Sequence, residues 1–415
     1  MTPGRRLLLI GAALAVVALV VPLAVVVAIA LAVAGATVVD ALIARRPPLL
    51  TREAPTIISR GVTARLRVDG TPVPGTSLRV RQPVPAGMSV EPWDAGSRLD
   101  ADIVGRRRGR FPLPPAVARA TGPLGLARWD HRAAGEGALA VYPDLVKARR
   151  LASTVRQGRL RGEGRLTRGP LGLGTEFEAV RDYNPDDDIR QVNWRATARV
   201  GRPMSNQYRV DQDRDVVCMI DMGRLMTAPV GDHTRLDIAL DACTAVAMVA
   251  DEVGDRCGCV AFDRQVRRRV TPRRAGGRAV IDATFDLVPS TLDSDYELAF
   301  RLVAGAKRAL VLVLTDLLDE AAARSLTSAV PVLARRHAVV VASVADPDID
   351  ALAAAPPSTA ADVYAAAVAL EMQAGRAAVA ATLTAAGATV VEAPPDSLSW
   401  ACVTAYLRQK RRARL

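Results

Sequence analysis

Asp215-Val216-Val217-Cys218-Met219-Ile220-Asp221 is the stretch that decides the fold. Its apolar centre is too short for a helix and unbroken by polar alternation. A short continuous run with β-branched residues fits a strand buried on both faces. Asp221 falls where that strand leaves the sheet, and Met222-Gly223-Arg224-Leu225 begins the exit loop. In open α/β sheets ligands sit outside the carboxyl ends of the strands. Asp221 is therefore the first candidate binding residue.

Downstream, strand and helix patterns alternate. A helix is expected near Leu236–Val253, a strand at Cys257–Asp263, and a basic ribbon at Val266–Thr271. Helices follow near Arg278–Leu287 and Asp295–Ala306. Ala309–Asp316 is the clearest buried strand. Next come a helix over Ala321–Arg335, a strand at Ala338–Asp346, and alanine-rich helix over Ala360–Ala385. Ala388–Glu392 and Leu398–Lys410 supply the last strand and helix. The alternation predicts an α/β fold with a doubly wound, mostly parallel sheet. Asp221, Asp263, Asp316 and Asp346 each end an apolar strand, so a parallel sheet would gather them on one edge. Carboxylates there suit a hard cation such as Mg²⁺. For Asp263 and Asp346, turn and cap formation is the simpler reading. Asp221 and Asp316 remain candidates.

Upstream, Pro185 and its following aspartates mark a turn, and one of Asp186–Asp188 is expected to cap a helix running to Ala198. The acids of this stretch alternate with Arg181, Arg190, Arg195 and Arg199, which favours ion pairing over a carboxylate cage. Arg149 to Gly169 is polar, basic and glycine-bearing, and reads as a linker. From Pro47 to about Leu145, short runs such as Thr63–Val68, Ser77–Val84 and Gly137–Tyr142 lie between turn signals, as in a small all-β sandwich. Arg106-Arg107-Arg108-Gly109-Arg110 reads as a solvated edge that blocks strand pairing.

From Leu7 to Val39 no residue is charged, more than the roughly 20 residues that one upright span needs. Arg5 and Arg6 precede the run, and Arg45 and Arg46 follow it. Basic flanks on both sides favour a tight hairpin with both ends cytoplasmic and Pro22 at its turn. One long tilted helix is the alternative. The expected divisions are thus a membrane segment at 1–46, a sandwich at 47–148, a linker at 149–214, and the α/β domain at 215–415.

The 415 residues carry a formal charge of +12, almost all from arginine, since Lys147, Lys307 and Lys410 are the only lysines. Such a balance permits contact with anionic lipid or nucleic acid. Stacking on single strands would need aromatic residues among the basic runs, and with 4% aromatic residues none are interleaved there, so nucleic acid is an unlikely partner. The five cysteines lie mostly in apolar runs, as reduced buried thiols do. There is no Gly-x-Ser-x-Gly elbow and no phosphate loop ending in Gly-Lys-Ser/Thr. His131, His233 and His337 are scattered. A hydrolase finds little support, and no enzymatic activity is expected.

The string Gly174-Thr175-Glu176-Phe177-Glu178, then Arg181-Asp182-Tyr183-Asn184-Pro185-Asp186-Asp187-Asp188, then Asn193-Trp194-Arg195 resembles the domain-of-unknown-function 58 family. Gly122-Pro123-Leu124-Gly125-Leu126 and Val141-Tyr142-Pro143 add to the resemblance. It implies a membrane-anchored protein with a von Willebrand factor A-like C-terminal half, working with a MoxR-type AAA+ ATPase. It also implies a divalent-cation site of the Asp-x-Ser-x-Ser kind, with a Thr and a later Asp. Asp221 matches the first Asp, Asp316 the last, and Thr291 or Ser294 the Thr. The serine positions hold Gly223 and Leu225, which offer no oxygen, so the resemblance points to a degenerate site with weak Mg²⁺ binding or none. The expectation is a non-enzymatic interaction protein at the cell membrane, its bulk cytoplasmic.

Overall fold

The computed structural model describes residues 2–132, 137–157, 176–184, 192–209, 214–304, 307–317 and 320–411. The chain forms two units, Met1–Tyr142 and Pro143–Leu415.

The first unit opens with β1 (Thr2–Pro3), α1 (Arg5–Val17) and α2 (Leu23–Ala44). The long apolar run is therefore two helices, broken before Pro22, whose ring and missing N–H end a helix. Helix α2, 22 residues long, contains an 18-residue stretch of mean hydropathy 2.4 and is long and apolar enough to cross a membrane. Only 11% of its apolar window is buried, which is not the pattern of a core helix. The 13 residues of α1 would reach about 20 Å, less than a hydrocarbon layer of about 30 Å.

Both helices return to one turn, Gly122–Ala127. Thr2 and Pro3 pair with Arg128 and Ala127, and the Gly4 N–H donates to the Leu126 carbonyl at 2.7 Å. Asp40, fully buried near the end of α2, accepts the N–H groups of Leu124, Leu126 and Ala127, each at 2.8 Å. A Cβ at Gly122 would lie 2.3 Å from the Asp40 carboxyl carbon, so that position must be glycine. Arg45 stacks over Trp129, and His131 bonds the Ala44 carbonyl at 2.8 Å.

Strands follow in order: β2 (Leu49–Glu53), β3 (Ile57–Ser59), β4 (Ala64–Thr71), β5 (Ser77–Arg81), β6 (Met88–Glu91) and β7 (Asp94–Ala95). Then come β8 (Arg98–Gly105), β9 (Gly109–Leu113), β10 (Val117–Thr121), β11 (Ala127–Arg132) and β12 (Gly137–Tyr142). They make sheets of order β1-β11-β10-β5-β7, β2-β4-β8-β6 and β3-β12-β9. Alternating inward residues such as Val68, Val80, Leu99, Ile103 and Ala118 share one core. The basic run at Arg106–Arg110 lies at a sheet edge, with Arg106, Arg107 and Arg110 exposed. It turns from β8 into β9, where Gly109 and Arg110 pair with Val141 and Ala140.

The second unit starts at Pro143, inside the stretch expected to be sandwich, and its first helix runs on into the expected linker. Helix α3 (Leu145–Arg156) is capped by Asp144 and buries Ala148 and Ala152 in the core that also holds the helix over Arg235–Glu252. Two small residues four apart form a packing stripe there, which the surrounding polar sequence hides. Next come β13 (Glu176–Asp182), α4 (Trp194–Val200) and β14 (Met204–Arg209), the two strands pairing antiparallel. The cap of α4 is Asn193, which accepts from Ala196 N at 2.9 Å, so the helix does not start at the aspartates. Gly201, at φ 73°, ends it in the left-handed region that glycine tolerates.

The main sheet begins with β15 (Asp215–Asp221), followed by β16 (Pro229–Val230), β17 (His233–Thr234) and α5 (Arg235–Glu252). It continues with β18 (Arg256–Phe262), β19 (Val266–Arg273), α6 (Gly277–Thr284), α7 (Tyr296–Ala304) and β20 (Ala309–Leu314). The chain ends with α8 (Glu320–Ala334), β21 (Ala338–Val344), α9 (Pro347–Ala354), α10 (Ala360–Ala385), β22 (Thr389–Ala393) and α11 (Pro395–Arg411). Strand order is β19-β18-β15-β20-β21-β22, parallel throughout except for β19 at the edge. Alternate residues of each run serve opposite faces. Val216, Cys218 and Ile220 pack with α5 and α11, while Val217 and Met219 share a core with α7, α8 and α10. All five cysteines are free and buried. At the amino edge of the sheet, buried Asp255 takes Lys410 Nζ at 2.7 Å and the Tyr406 hydroxyl, tying α11 to the start of β18.

Replacing Asp40 by Ala leaves three N–H groups, two of them buried, without their acceptor. Amide exchange at Leu124, Leu126 and Ala127 is expected to accelerate by one to two orders of magnitude, about 1–3 kcal/mol. Unchanged protection in a hydrogen-exchange measurement contradicts this role for Asp40.

Candidate functional site

The sheet reverses its strand order at β15, which has β18 on one side and β20 on the other. Asp221 closes β15 at that point, level with Phe262 of β18. An open cleft of about 660 Å³ lies over it, lined by Asp221, Arg224, Asp293, Ser294, Arg324 and Ser325 among others. The first turn after the strand is tight because Asp221 Oδ1 accepts the Gly223 N–H at 2.7 Å. A Cβ at Gly223 would sit 2.4 Å from Ser294 Oγ, so a serine in its place would need the facing loop to move.

The Asp221 carboxylate is nearly enclosed. Oδ1 also accepts from the Ser294 hydroxyl, and Oδ2 from Tyr296 at 2.6 Å and Thr315 at 2.7 Å. Tyr296 comes from the first turn of α7, and Thr315 lies just beyond β20. Burial raises the Tyr296 phenol well above its ordinary pKa, and the facing Asp221 charge adds to the shift. Tyr296 therefore remains a donor across the physiological range.

Asp316 belongs to a different cluster. Its Oδ1 takes Arg235 at 2.9 Å and Arg376 at 3.0 Å, with the Ser343 hydroxyl at 3.3 Å. Arg235 opens α5 and Arg376 sits inside α10, so the two guanidiniums reach over the sheet edge from helices on opposite faces. Both donate to the Val344 carbonyl, and they also reach Asp346 and Glu392 respectively. Burial pushes the Asp316 carboxyl above its ordinary range against the pull of both arginines, and burial likewise lowers Arg235. Desolvation thus outweighs attraction on both sides of the pair.

These residues do not fit a divalent cation. The four protein donors already engage Asp221, and two positive charges occupy the neighbourhood of Asp316. Among the described residues no group of three His, Cys, Asp or Glu is placed to hold a metal ion. Thr291 is exposed, and of the two expected hydroxyl residues it is Ser294 that bonds Asp221. Asp263 and Asp346 do what turn residues do: Asp263 accepts from Gln265 N and Arg267, and Asp346 caps α9. His233 lies in β17, His131 in β11, and His337 is buried against Ala309 N.

Of the signature residues, Gly174, Thr175, Pro185, Asp187 and Asp188 lie outside the described residues. Glu176, Phe177, Glu178 and Arg181 fall in β13. Tyr183 N bonds the Pro203 carbonyl. Trp194 is 70% exposed and Arg195 is also at the surface. Sequence reasoning passed over Arg235, Arg376, Tyr296 and Thr315. One signal was present: Arg376 is the lone basic residue in an alanine-rich helix.

A family profile described as a protein of unknown function, DUF58, matches residues 179–388, just over half the chain. The chain belongs to the DUF58 family. Uncharacterized proteins of Mycobacterium bovis and of two Mycobacterium tuberculosis strains are 26% identical to it over 219 residues. The match covers 49% of this chain and 66% of each relative, just under two thirds of their length. The matched family region contains the Asp221 cleft and, apart from Glu392, the Asp316 cluster.

Replacing Asp221 by Ala is expected to cost about 2–4 kcal/mol, because three hydroxyls and one N–H lose their acceptor. Millimolar Mg²⁺ should leave the melting temperature of the unaltered chain in place. A Mg²⁺-dependent rise that Asp221→Ala abolishes overturns the reading. Alkaline stability tests Tyr296 separately. Its folded pKa is raised, so its contribution is complete below the unfolded value near 10 and is lost as pH rises through the folded value. Tyr296→Phe should flatten the fall in stability above about pH 10, measured by denaturant titration at several pH values.

Proposed function

We propose that this protein is a membrane-anchored, non-enzymatic interaction protein. On this reading its second unit is a doubly wound, von Willebrand factor A-like domain with a degenerate metal site. It engages a protein partner through the strand-end loops around Asp221, Ser294 and Asp316. The partner that the family resemblance suggests is a MoxR-type AAA+ ATPase. The observation that carries the reading is the satisfaction of both strand-end aspartates by protein groups, Asp221 by hydroxyls and Asp316 by Arg235 and Arg376. An edge closed in this way has fixed shape and charge without an ion, as a recognition surface requires.

Membrane anchoring rests on α2, with its high hydropathy and low burial. The hairpin reading has α1 and α2 entering together from the cytoplasmic side, where Arg5, Arg6, Arg45 and Arg46 remain. The bulk of the chain is then cytoplasmic.

The test uses the full chain in detergent and the purified MoxR-type ATPase of the same organism, held in one nucleotide state. Arg324→Glu reverses the charge at an exposed position of the cleft. It is expected to weaken capture at least tenfold, about 1.4 kcal/mol. Equal capture by the variant, or no capture by the unaltered chain, sinks the proposal.

A further inference from the structure

We propose that the outer face of the sheet formed by β11, β10 and β5, together with Arg5, binds the phosphate of an anionic phospholipid. The lipid is one in the leaflet that α1 enters. The inference rests on the membrane-anchored reading above and adds a specific site to it.

The strand register builds the face. Leu78 and Val80 point into the core, which leaves Arg79 and Arg81 outward. Ala118 and Ala120 likewise point inward on β10, which leaves Arg119 outward beside Arg79. Arg128 of β11 stands opposite Thr121. These four arginines share with Arg5 and Trp93 a cleft of about 270 Å³. Arg79 pairs with Asp94 at 2.7 Å, and Arg119 pairs in two-pronged fashion with Asp130 at 2.7 and 3.0 Å. Arg5, Arg81 and Arg128 make no ion pair with a described residue. Three guanidiniums thus face one cleft in excess of the carboxylates beside it. Guanidinium forks match the oxygens of a phosphate.

The position of the cleft selects the source of that phosphate. Arg5 is the first residue of α1, and Gly4 just before it is bonded to the Leu126 carbonyl beside β11. The cleft therefore sits where the chain leaves the sheet for an exposed apolar helix. Trp93, 61% exposed at the same cleft, is the residue type that settles at a headgroup layer, apolar in body and polar at one end. An anionic headgroup fits the positive excess, whereas a zwitterionic one would bring its own cation into the same field.

The test reconstitutes the full chain in nanodiscs of phosphatidylcholine with a minor fraction of phosphatidylglycerol and measures retained phosphatidylglycerol by native mass spectrometry. Each surface arginine contributes roughly fivefold to such binding, so Arg81→Gln with Arg128→Gln should lower retention by about thirtyfold. Arg269→Gln with Arg273→Gln, exposed arginines of the other unit, should leave it unchanged. Equal retention by both double variants overturns the site. Displacement of the lipid by inorganic phosphate at comparable concentration overturns the lipid as its source. Carbonate extraction of the chain from native membranes is scored separately: release would overturn the anchored reading itself, whatever the lipid data show.

Discussion

Asp316 lies between two guanidiniums that arrive from opposite faces of one sheet, and the carboxyl edge of the second unit is organised around that clamp. Taking an acid and two arginines out of water costs several kcal/mol per ion before attraction returns any of it. The arrangement holds because Arg235 also bonds Asp346 and the Val344 carbonyl, and Arg376 reaches Glu392 and the same carbonyl. With the strand ends β20, β21 and β22 and the helices α5 and α10 all tied to one point, neither helix can shift without stranding a buried charge.

Asp221, one strand away, reaches closure by a different route. Its partners are neutral hydroxyls and one backbone N–H, supplied by the exit loop, the segment before α7, the first turn of α7, and the residue preceding Asp316. Thr315 and Asp316 are adjacent in the chain, so the neutral and charged clusters are mechanically continuous. Gly223 fits only because it lacks a side chain. The missing side chain at Gly223 is thus what admits the Ser294 hydroxyl.

The first unit repeats the logic of a buried acid joining distant segments. Asp40 gathers three N–H groups of the Gly122–Ala127 turn, and β1 pairs with β11 beside it. The start of α1 and the end of α2 are thereby held at one end of the sandwich. An apolar helix pair fixed at both roots presents its basic flanks together, which a flexible tether would not do.

Sequence alone determined the elements whose patterns are local. Continuous apolar runs marked β15, β20 and β21 as strands buried on both faces, and their alternation with helices gave the parallel sheet, because burial on two faces leaves no room for polar alternation. The break at Pro22 was legible for the same local reason. The helix α3 was not: its packing stripe is two alanines, indistinguishable in sequence from an ordinary polar linker with small residues. Tertiary structure alone decided the site. Arg235 and Arg376 are 141 positions apart by their numbers, and nothing local says that both end on Asp316. Carboxylates at strand ends look alike in sequence, whether an ion, a guanidinium or a set of hydroxyls stands opposite them. Only packing chooses among these, since it decides which distant side chain is brought within hydrogen-bond reach.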